Sequence, residues 1–191
     1  MKDIFFLWIQ WCGKGTQAKL LLKHFEWQFD YLEMWQLFRS AMSNDNIIWN
    51  FCKDIVNAGE LVPHFVTFWR YEIALQIVGW KDKALMTDWF PRAMAQAQFM
   101  ESMMDKYHRD FVVIHYELSR EKAIERIMER SKKEWRADDN EESIKVRLAA
   151  FENETMPVIN YFKEKWKVIS INANQSIDDI FAETISKISQ N

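Results

Sequence analysis

Apolar residues follow two patterns along the chain. Short continuous apolar runs, typical of strands buried on both faces of a parallel sheet, alternate with longer segments in which apolar residues recur every three or four positions, typical of amphipathic helices. The predicted strands are residues 4–9, 84–87, 111–118 and 167–171. The predicted helices are residues 14–25, 36–42, 46–58, 65–78, 93–106, 120–130, 142–165 and 177–188. This alternation predicts an α/β fold with a doubly wound parallel sheet, whose ligands bind beyond the carboxyl ends of the strands.

Three local features modify the predicted helices. Ser119 directly precedes residues 120–130 and is expected to cap that helix through its hydroxyl group. Pro157 lies within residues 142–165, so we expect a bend or break near it, because proline has no backbone N–H to donate. The polar residues 131–142 interrupt the apolar pattern and are predicted to form a mobile loop.

Composition narrows the class of protein. The 191 residues fit a single domain, and the 49% of hydrophobic and 28% of charged residues are typical of a soluble globular chain. The net charge of −3 argues against broad electrostatic binding to nucleic acid, and the first apolar run is too short to span a membrane. Cys12 and Cys52 are too few for a disulfide framework or a zinc site, so we expect a reducing, cytoplasmic location.

Glycine is scarce and tryptophan is abundant. The chain has 4 glycines, whereas ordinary usage of about 7% would give roughly 13. It has 10 tryptophans, so the two residue types together approach an ordinary glycine count. This suggests that tryptophans occupy positions that would otherwise be glycine, and the alternative is an unusually aromatic core.

Residues 12–17 (Cys-Gly-Lys-Gly-Thr-Gln) join the first predicted strand to the first predicted helix. Backbone N–H groups and the dipole at a helix N-terminus attract phosphate in this setting. Lys14 is expected to reach the terminal phosphates of a nucleotide, and the Thr16 hydroxyl to contact Mg²⁺ or phosphate. An ordinary turn is the alternative for a Gly-Lys-Gly-Thr tetrapeptide, but its position between strand and helix favours a phosphate loop.

The same segment resembles the opening of adenylate kinases, which follows the pattern GxxGxGKGTQ. Trp8 and Trp11 stand at the first two glycines of that pattern, and Gly13 and Gly15 at the last two. Other family landmarks follow in order across nearly the whole chain. They are MWQLFR at 34–39 for STGDLLR, AGELVP at 58–63 for GxLVP, TDWFPR at 87–92 with Gln96 for DGFPR and its glutamine, RIMER at 126–130 for the lid arginines, and WRADD at 135–139 with Arg147.

The resemblance implies an ATP:AMP phosphotransferase that uses Mg²⁺, built as one phosphate-loop α/β domain over residues 1–191. It further implies a helical AMP-binding insertion at residues 33–63 and a short lid loop at residues 127–137, which has no zinc-binding cysteines. We expect ATP and AMP as the small-molecule substrates, no nucleic-acid or membrane partner, and a monomer.

The resemblance also assigns residues to roles. ATP would be bound by Trp11, Cys12, Gly13, Lys14, Gly15, Thr16, Arg126 and Arg130. AMP would be bound by Met34, Arg39, Glu60, Leu61, Val62, Trp89, Phe90, Pro91, Arg92, Gln96, Arg136 and Arg147. Within that set, Arg39 and Arg92 would bind the AMP phosphate, and Gln96 would hydrogen-bond the adenine. The catalytic residues would be Lys14, Arg92, Arg126, Arg136 and Arg147, and Mg²⁺ would be held by Thr16 and Asp88.

Six tryptophans coincide with family glycines, namely Trp8, Trp11, Trp35, Trp89, Trp135 and Trp166. This number favours replacement of glycine over a naturally aromatic core. A bulky residue held at positive φ costs about 1–3 kcal/mol, and the indoles of Trp11 and Trp89 are expected to crowd the phosphate sites. Two alternatives to an active kinase therefore stay open: a catalytically impaired nucleotide-binding protein and an inert scaffold. A kinase for another acceptor also stays open, although Gln96 and the GxLVP segment favour adenine.

Overall fold

The central strand of the protein, β1 (Asp3–Trp8), pairs in parallel with a strand on each side in the computed structural model. The structure describes residues 1–9, 14–26, 28–33, 47–58, 60–79, 83–133 and 141–190. The other strands are β2 (Phe29–Glu33), β3 (Ala84–Asp88), β4 (Phe111–Glu117) and β5 (Val168–Asn172). The sheet order is β2-β3-β1-β4-β5 and every pairing is parallel, which confirms the predicted doubly wound sheet.

Helices cover both faces of this sheet. They are α1 (Lys14–His24), α2 (Ile47–Asn57), α3 (His64–Gly79), α4 (Met94–Lys106), α5 (Arg120–Lys133), α6 (Glu141–Ala150), α7 (Met156–Glu164) and α8 (Ile177–Ser189). A π-helical turn, Phe151–Thr155, joins α6 to α7. The connection after β1 leads to one edge of the sheet and that after β4 to the other, so the topological switch point lies between these neighbouring strands.

Two hydrophobic clusters lie on opposite sides of the sheet. Along β1, Ile4 and Phe6 point to the side of α1 and α8, whereas Phe5 and Leu7 point to the side of α3, α4 and α7. Successive side chains of a strand alternate between faces, and both faces are buried here. This double burial explains why β1 is a continuous apolar run in the sequence.

An ion pair between the buried Asp3 and the half-buried Arg109 joins the amino-terminal ends of three strands. The Arg109 guanidinium donates to both carboxylate oxygens of Asp3, at 2.6 and 2.7 Å, and to the Lys83 carbonyl at 3.0 Å. Asp3 also accepts from the Leu85 backbone N–H at 2.8 Å. The hydrogen bond to Asp3 raises the pKa of Arg109. A bidentate pair of this kind fixes the relative position of β1, β3 and the start of β4.

The predicted strands are confirmed to within one residue at each end, and most predicted helices are confirmed. β2 was not predicted: it lies at a sheet edge, and only Phe29 and Leu32 of its five residues are buried. The predicted helix at 36–42 lies outside the described residues. The assignments of residues 33–63 as the AMP-binding insertion and of residues 127–137 as the lid stay predictions. The first segment contains α2, and residues 127–133 of the second segment form the last part of α5.

The boundary predictions have mixed outcomes. Ser119 caps α5, because its Oγ accepts from the Lys122 backbone N–H at 3.3 Å. The break near Pro157 is confirmed, since the π-helical turn ends just before it and proline falls in the first turn of α7. The mobile loop at 131–142 was predicted too long: α5 continues to Lys133 and α6 begins at Glu141. Helix propagation from both sides explains this, because each added residue gains a backbone hydrogen bond.

Trp166 occupies a position that suits glycine. It follows α7 with φ of 58°, its N–H donates to the Lys163 carbonyl, and the Lys167 N–H donates to the Phe162 carbonyl, each at 3.0 Å. This pair of bonds defines a Schellman motif, in which the left-handed residue is usually glycine. The Trp166 side chain is 92% exposed, so its burial offsets little of the backbone strain.

We therefore expect Trp166→Gly to raise the free energy of unfolding by about 1 kcal/mol, because glycine adopts positive φ without a Cβ clash. Denaturant unfolding measures the change. Trp166→Ala, which keeps the Cβ, is the matched control and should give a smaller gain. Equal stabilisation by both variants would show that loss of the exposed indole, and not relief of strain, is the cause.

His115 in β4 is a buried titratable group. Burial lowers the pKa of its imidazole from 6.5 to about 4, while Glu117, 3.6 Å away, raises it and Lys163 lowers it. Its Nδ1 has no hydrogen-bond partner among the described residues. The unfolded chain therefore binds a proton at a higher pH than the folded chain does.

Between pH of about 6.5 and 4 the unfolded state binds more protons at His115, so stability should fall as pH falls through this window. The full shift corresponds to about 3 kcal/mol. His115→Leu should flatten the dependence, measured as unfolding free energy against pH. His24→Gln, which changes an exposed histidine, should leave the slope intact; an unchanged slope in His115→Leu would contradict the assignment.

Candidate functional site

The carboxyl-terminal end of β3 carries the best-defined group of predicted site residues. Asp88 is the last residue of the strand and is 1% exposed. The chain then passes through Trp89, Phe90 and Pro91, with a cis bond between the last two, to Arg92, just before α4. Thr155 of the π-helical turn donates through its hydroxyl to the Arg92 carbonyl at 3.1 Å. This segment is thus anchored between β3, α4 and the π-helical turn.

Arg92, Asp88 and Arg147 form a buried electrostatic cluster. Arg92 is 4% exposed and Arg147, from α6, is 7% exposed. Burial lowers the pKa of the Arg92 guanidinium to about 10, the Asp88 carboxylate raises it, and the Arg147 charge lowers it further. Arg92 stays protonated at neutral pH. Two guanidinium groups and one carboxylate in a region of low dielectric produce a field that favours an anion such as phosphate.

Trp89 contacts one member of this cluster, Arg92. Its ring centroid is 5.0 Å from the Arg92 guanidinium carbon, a cation–π distance, and its backbone φ is 77°. The positive φ confirms that this backbone conformation is one that glycine adopts most easily. Phe90, by contrast, is fully buried and packs against Tyr71 with a centroid distance of 4.5 Å. Phe90 therefore belongs to the core, whereas Trp89 is partly buried, packs against that core and contacts the Arg92 guanidinium.

Sequence analysis missed two polar groups at this edge. The Tyr31 hydroxyl donates to Asp88 Oδ2 at 3.4 Å, and burial, followed by the Asp88 and Glu33 charges, raises the pKa of Tyr31. The Thr87 hydroxyl is buried and has no partner among the described residues. Tyr31 lies on β2, and no apolar run pointed to that strand. The Asp88 carboxylate is itself a hard oxygen ligand of the kind that Mg²⁺ prefers.

Gln96, in the first turn of α4, is buried and held at both ends of its carboxamide. The Arg92 backbone N–H donates to its Oε1 at 2.7 Å, and its Nε2 lies 3.3 Å from His64 Nδ1. His64 begins α3, directly after the predicted base-binding segment. In that segment Val62 is buried, Leu61 is half-buried and Glu60 is exposed. His64 thus connects the predicted base-binding segment, which directly precedes it in the chain, to Gln96, which its ring contacts.

The phosphate loop is described only from Lys14, the first residue of α1. Gly15 and Thr16 in its first turn are exposed, and a Cβ at Gly15 would meet nothing within 4 Å. Arg126 on α5 donates to the Ala173 carbonyl at 3.0 Å, which directs it to the loop after β5. Arg130 lies on α5, but its side chain, like that of Lys14, is outside the described part. Also outside are Trp11, Cys12, Gly13, Met34, Arg39 and Arg136.

Trp8 differs from Trp89 and Trp166. It is the last residue of β1, in extended strand conformation, and is buried. Its ring stacks on Phe6 at 5.2 Å and packs against Tyr116 at 5.3 Å. Trp8 is therefore part of the aromatic core on the α1 side of the sheet, and the strain expected for a glycine position does not apply to it.

A cavity of about 310 Å³ lies at the carboxyl ends of β4 and β5. Its polar lining includes His115, Glu117, Asn172 and Asn174, and Phe151 and Met156 form an apolar wall. None of the predicted substrate residues lines it. Within the described ranges, no group of three or more His, Cys, Asp or Glu side chains is arranged to hold a metal ion, and no helix is long and apolar enough to cross a membrane.

Comparison with known proteins agrees with this architecture. The sequence model of the family described as adenylate kinase matches residues 10–167. The chain is 33% identical to an adenylate kinase of Corynebacterium diphtheriae, over 92% of this chain and 93% of that protein. It is 32% identical to adenylate kinase isoenzyme 1 of Caenorhabditis elegans, over 92% and 82% of the two chains. It is also 33% identical to a uridylate kinase of Saccharomyces cerevisiae, over 94% and 87%. The family model matches most of the chain, and relatives of similar length are 30% or more identical to it. These matches show that this chain belongs to the adenylate kinase family of phosphotransferases.

Proposed function

We propose that this protein transfers the γ-phosphoryl group of ATP to AMP and so forms two molecules of ADP. The observation that carries the proposal is the buried cluster of Arg92, Asp88 and Arg147 at the carboxyl end of β3. Phosphoryl transfer needs little covalent chemistry from a protein, and depends on positioning and charge stabilisation. The Arg92 guanidinium, which interacts electrostatically with both the Asp88 carboxylate and the Arg147 guanidinium, meets this requirement.

Each member of the cluster has a separate task in this proposal. Arg92 binds the phosphate of the acceptor nucleotide, because a guanidinium fork matches phosphate oxygens in two-point hydrogen bonds. Arg147 neutralises charge on the transferred phosphoryl group. Asp88 and Thr16 would hold Mg²⁺, and Tyr31 orients the Asp88 carboxylate. When bound, Mg²⁺ neutralises charge on the nucleotide phosphates.

The remaining predicted residues complete the two nucleotide sites. Lys14, Gly15 and Thr16 bind ATP at the start of α1, where the helix dipole favours phosphate. Arg126 reaches the ATP site from α5, beside the loop after β5. Gln96 contacts the acceptor base, and Val62 forms an apolar wall of the same site.

The arginine cluster gives the first test of the activity. We expect ADP formation from ATP and AMP in a coupled assay, and a fall of about 100-fold in kcat/KM for Arg147→Met, because charge stabilisation in the transition state is lost. Arg120→Met is the matched control, since Arg120 forms a surface ion pair with Glu152 at 2.7 Å. It should retain full activity. A folded protein that forms no ADP would exclude the proposed reaction, and equal losses in both variants would exclude the role of Arg147.

The indole over Arg92 gives a second prediction. Trp89→Gly should raise kcat/KM for AMP about tenfold, because it exposes the face of the guanidinium and relieves the backbone strain at φ of 77°. Trp166→Gly, which relieves similar strain at φ of 58° on the exposed surface, is the control and should leave kcat/KM unchanged. A lower kcat/KM in Trp89→Gly would mean that the indole assists binding.

The same contact favours a second candidate function, a nucleotide-binding protein with impaired catalysis. An indole 5.0 Å from Arg92 competes with a phosphate for one face of the guanidinium. Calorimetric titration with each nucleotide separates the candidates: AMP binding without ATP binding supports impaired catalysis. If a bisubstrate analogue, ATP linked to AMP, produces no thermal shift, the chain is an inert scaffold of this fold.

A further inference from the structure

The Gln96 carboxamide is held in one orientation by two hydrogen bonds. A backbone N–H can only donate, so the Arg92 N–H, 2.7 Å away, must face the carbonyl oxygen Oε1 of Gln96. The NH₂ group then faces His64 Nδ1 at 3.3 Å. Because an amide NH₂ can only donate, Nδ1 must accept, and His64 carries its proton on Nε2. Rotating the amide by half a turn would oppose donor to donor at Arg92.

His64 is itself positioned by its neighbours. Its carbonyl accepts from the Thr67 hydroxyl at 2.7 Å, in the first turn of α3. Its ring lies parallel to that of Phe68, with centroids 6.0 Å apart and an interplanar angle of 16°. Phe68 in turn stacks on Phe99 at 4.2 Å, one turn of α4 beyond Gln96. The aromatic row His64–Phe68–Phe99 therefore bridges α3 and α4 beside the carboxamide.

A carboxamide whose orientation is fixed can distinguish bases that a freely rotating carboxamide cannot. With one hydrogen bond made at each end, Gln96 still offers one N–H donor and one oxygen lone pair in a fixed order. Adenine presents a ring-nitrogen acceptor beside an amino donor, the complement of a carboxamide. In a 6-oxopurine the exocyclic group is an acceptor, so the sequence of donor and acceptor along the base edge is reversed or lost. A carboxamide free to rotate could match the reversed order, and a held one cannot.

We propose that His64 is a specificity-determining positioning residue, which holds Gln96 so that it accepts 6-aminopurine monophosphates and rejects 6-oxopurine monophosphates. The inference rests on the proposed function in one respect, that Gln96 faces the base of the acceptor nucleotide. It gives a physical basis for base choice in a chain that is as similar to a uridylate kinase as to an adenylate kinase.

The test compares the Kd of AMP with that of IMP, which differs from AMP at the exocyclic group and the adjoining ring nitrogen. Calorimetry on the wild type should show preference for AMP. His64→Leu removes the acceptor and should reduce the AMP-over-IMP ratio about fivefold, the worth of one ordinary hydrogen bond. His64→Asn is the matched rescue, because its Oδ1 can take the place of Nδ1, and it should restore the ratio. His64 is exposed, so both variants should fold, which thermal unfolding checks.

A second readout needs no ligand. Nitrogen-15 NMR of the imidazole should show a protonated Nε2 and an unprotonated Nδ1 in the free protein, and a protonated Nδ1 would overturn the inference. An unchanged AMP-over-IMP ratio in His64→Leu would overturn it too, as would a wild type that binds neither monophosphate. Binding does not require turnover. Suppose that His64→Leu loses the preference for AMP over IMP while the wild type forms no ADP. That result would reject the proposed reaction and still support the role of His64.

Discussion

The double burial of β1 is the constraint on which the rest of the structure depends. Ile4 and Phe6 contact one layer of helices, Phe5 and Leu7 contact the other, and both strand edges are occupied by β3 and β4. A strand in this position cannot expose polar side chains at its centre, so chemistry is confined to its end. The parallel arrangement then brings the carboxyl ends of neighbouring strands to one edge, where loops and helix N-termini meet.

Charged groups at that edge lie in an unusual environment for their type. Asp88, Arg92 and Arg147 are all nearly excluded from solvent, although burial of an ionised group is costly unless it is paired. Burial lowers the pKa of Arg92, the Asp88 carboxylate raises it, and the Arg147 guanidinium lowers it, so the three charged groups act on one another. The same low dielectric that makes the cluster costly strengthens its interaction with an anion. The cost of burying the cluster and its attraction for an anion therefore have the same physical cause.

Tryptophan at family glycine positions has three different physical consequences in this chain. Trp166 is exposed at the left-handed residue of a Schellman motif, so its effect is backbone strain. Trp89 has the same kind of strain but also covers Arg92, so it affects the site. Trp8 adopts an extended conformation and joins an aromatic stack, so it contributes packing. The same side chain has a different effect at each position, because the backbone φ and the neighbouring residues differ.

The sequence by itself determined four of the five strands described in the sheet, most of the helices and the family, because buried strands are continuous apolar runs and the motifs follow one another in order. It did not reveal β2, which lies at a sheet edge and buries only Phe29 and Leu32. Nor did it reveal the partners of the site residues: Tyr31 with Asp88, His64 with Gln96 and Thr155 with Arg92 are 57, 32 and 63 positions apart. Local patterns report on neighbours within a few residues. Contacts between distant segments depend on how helices and strands pack, so only the tertiary structure decided which groups hold Asp88, Gln96 and Arg92 in place.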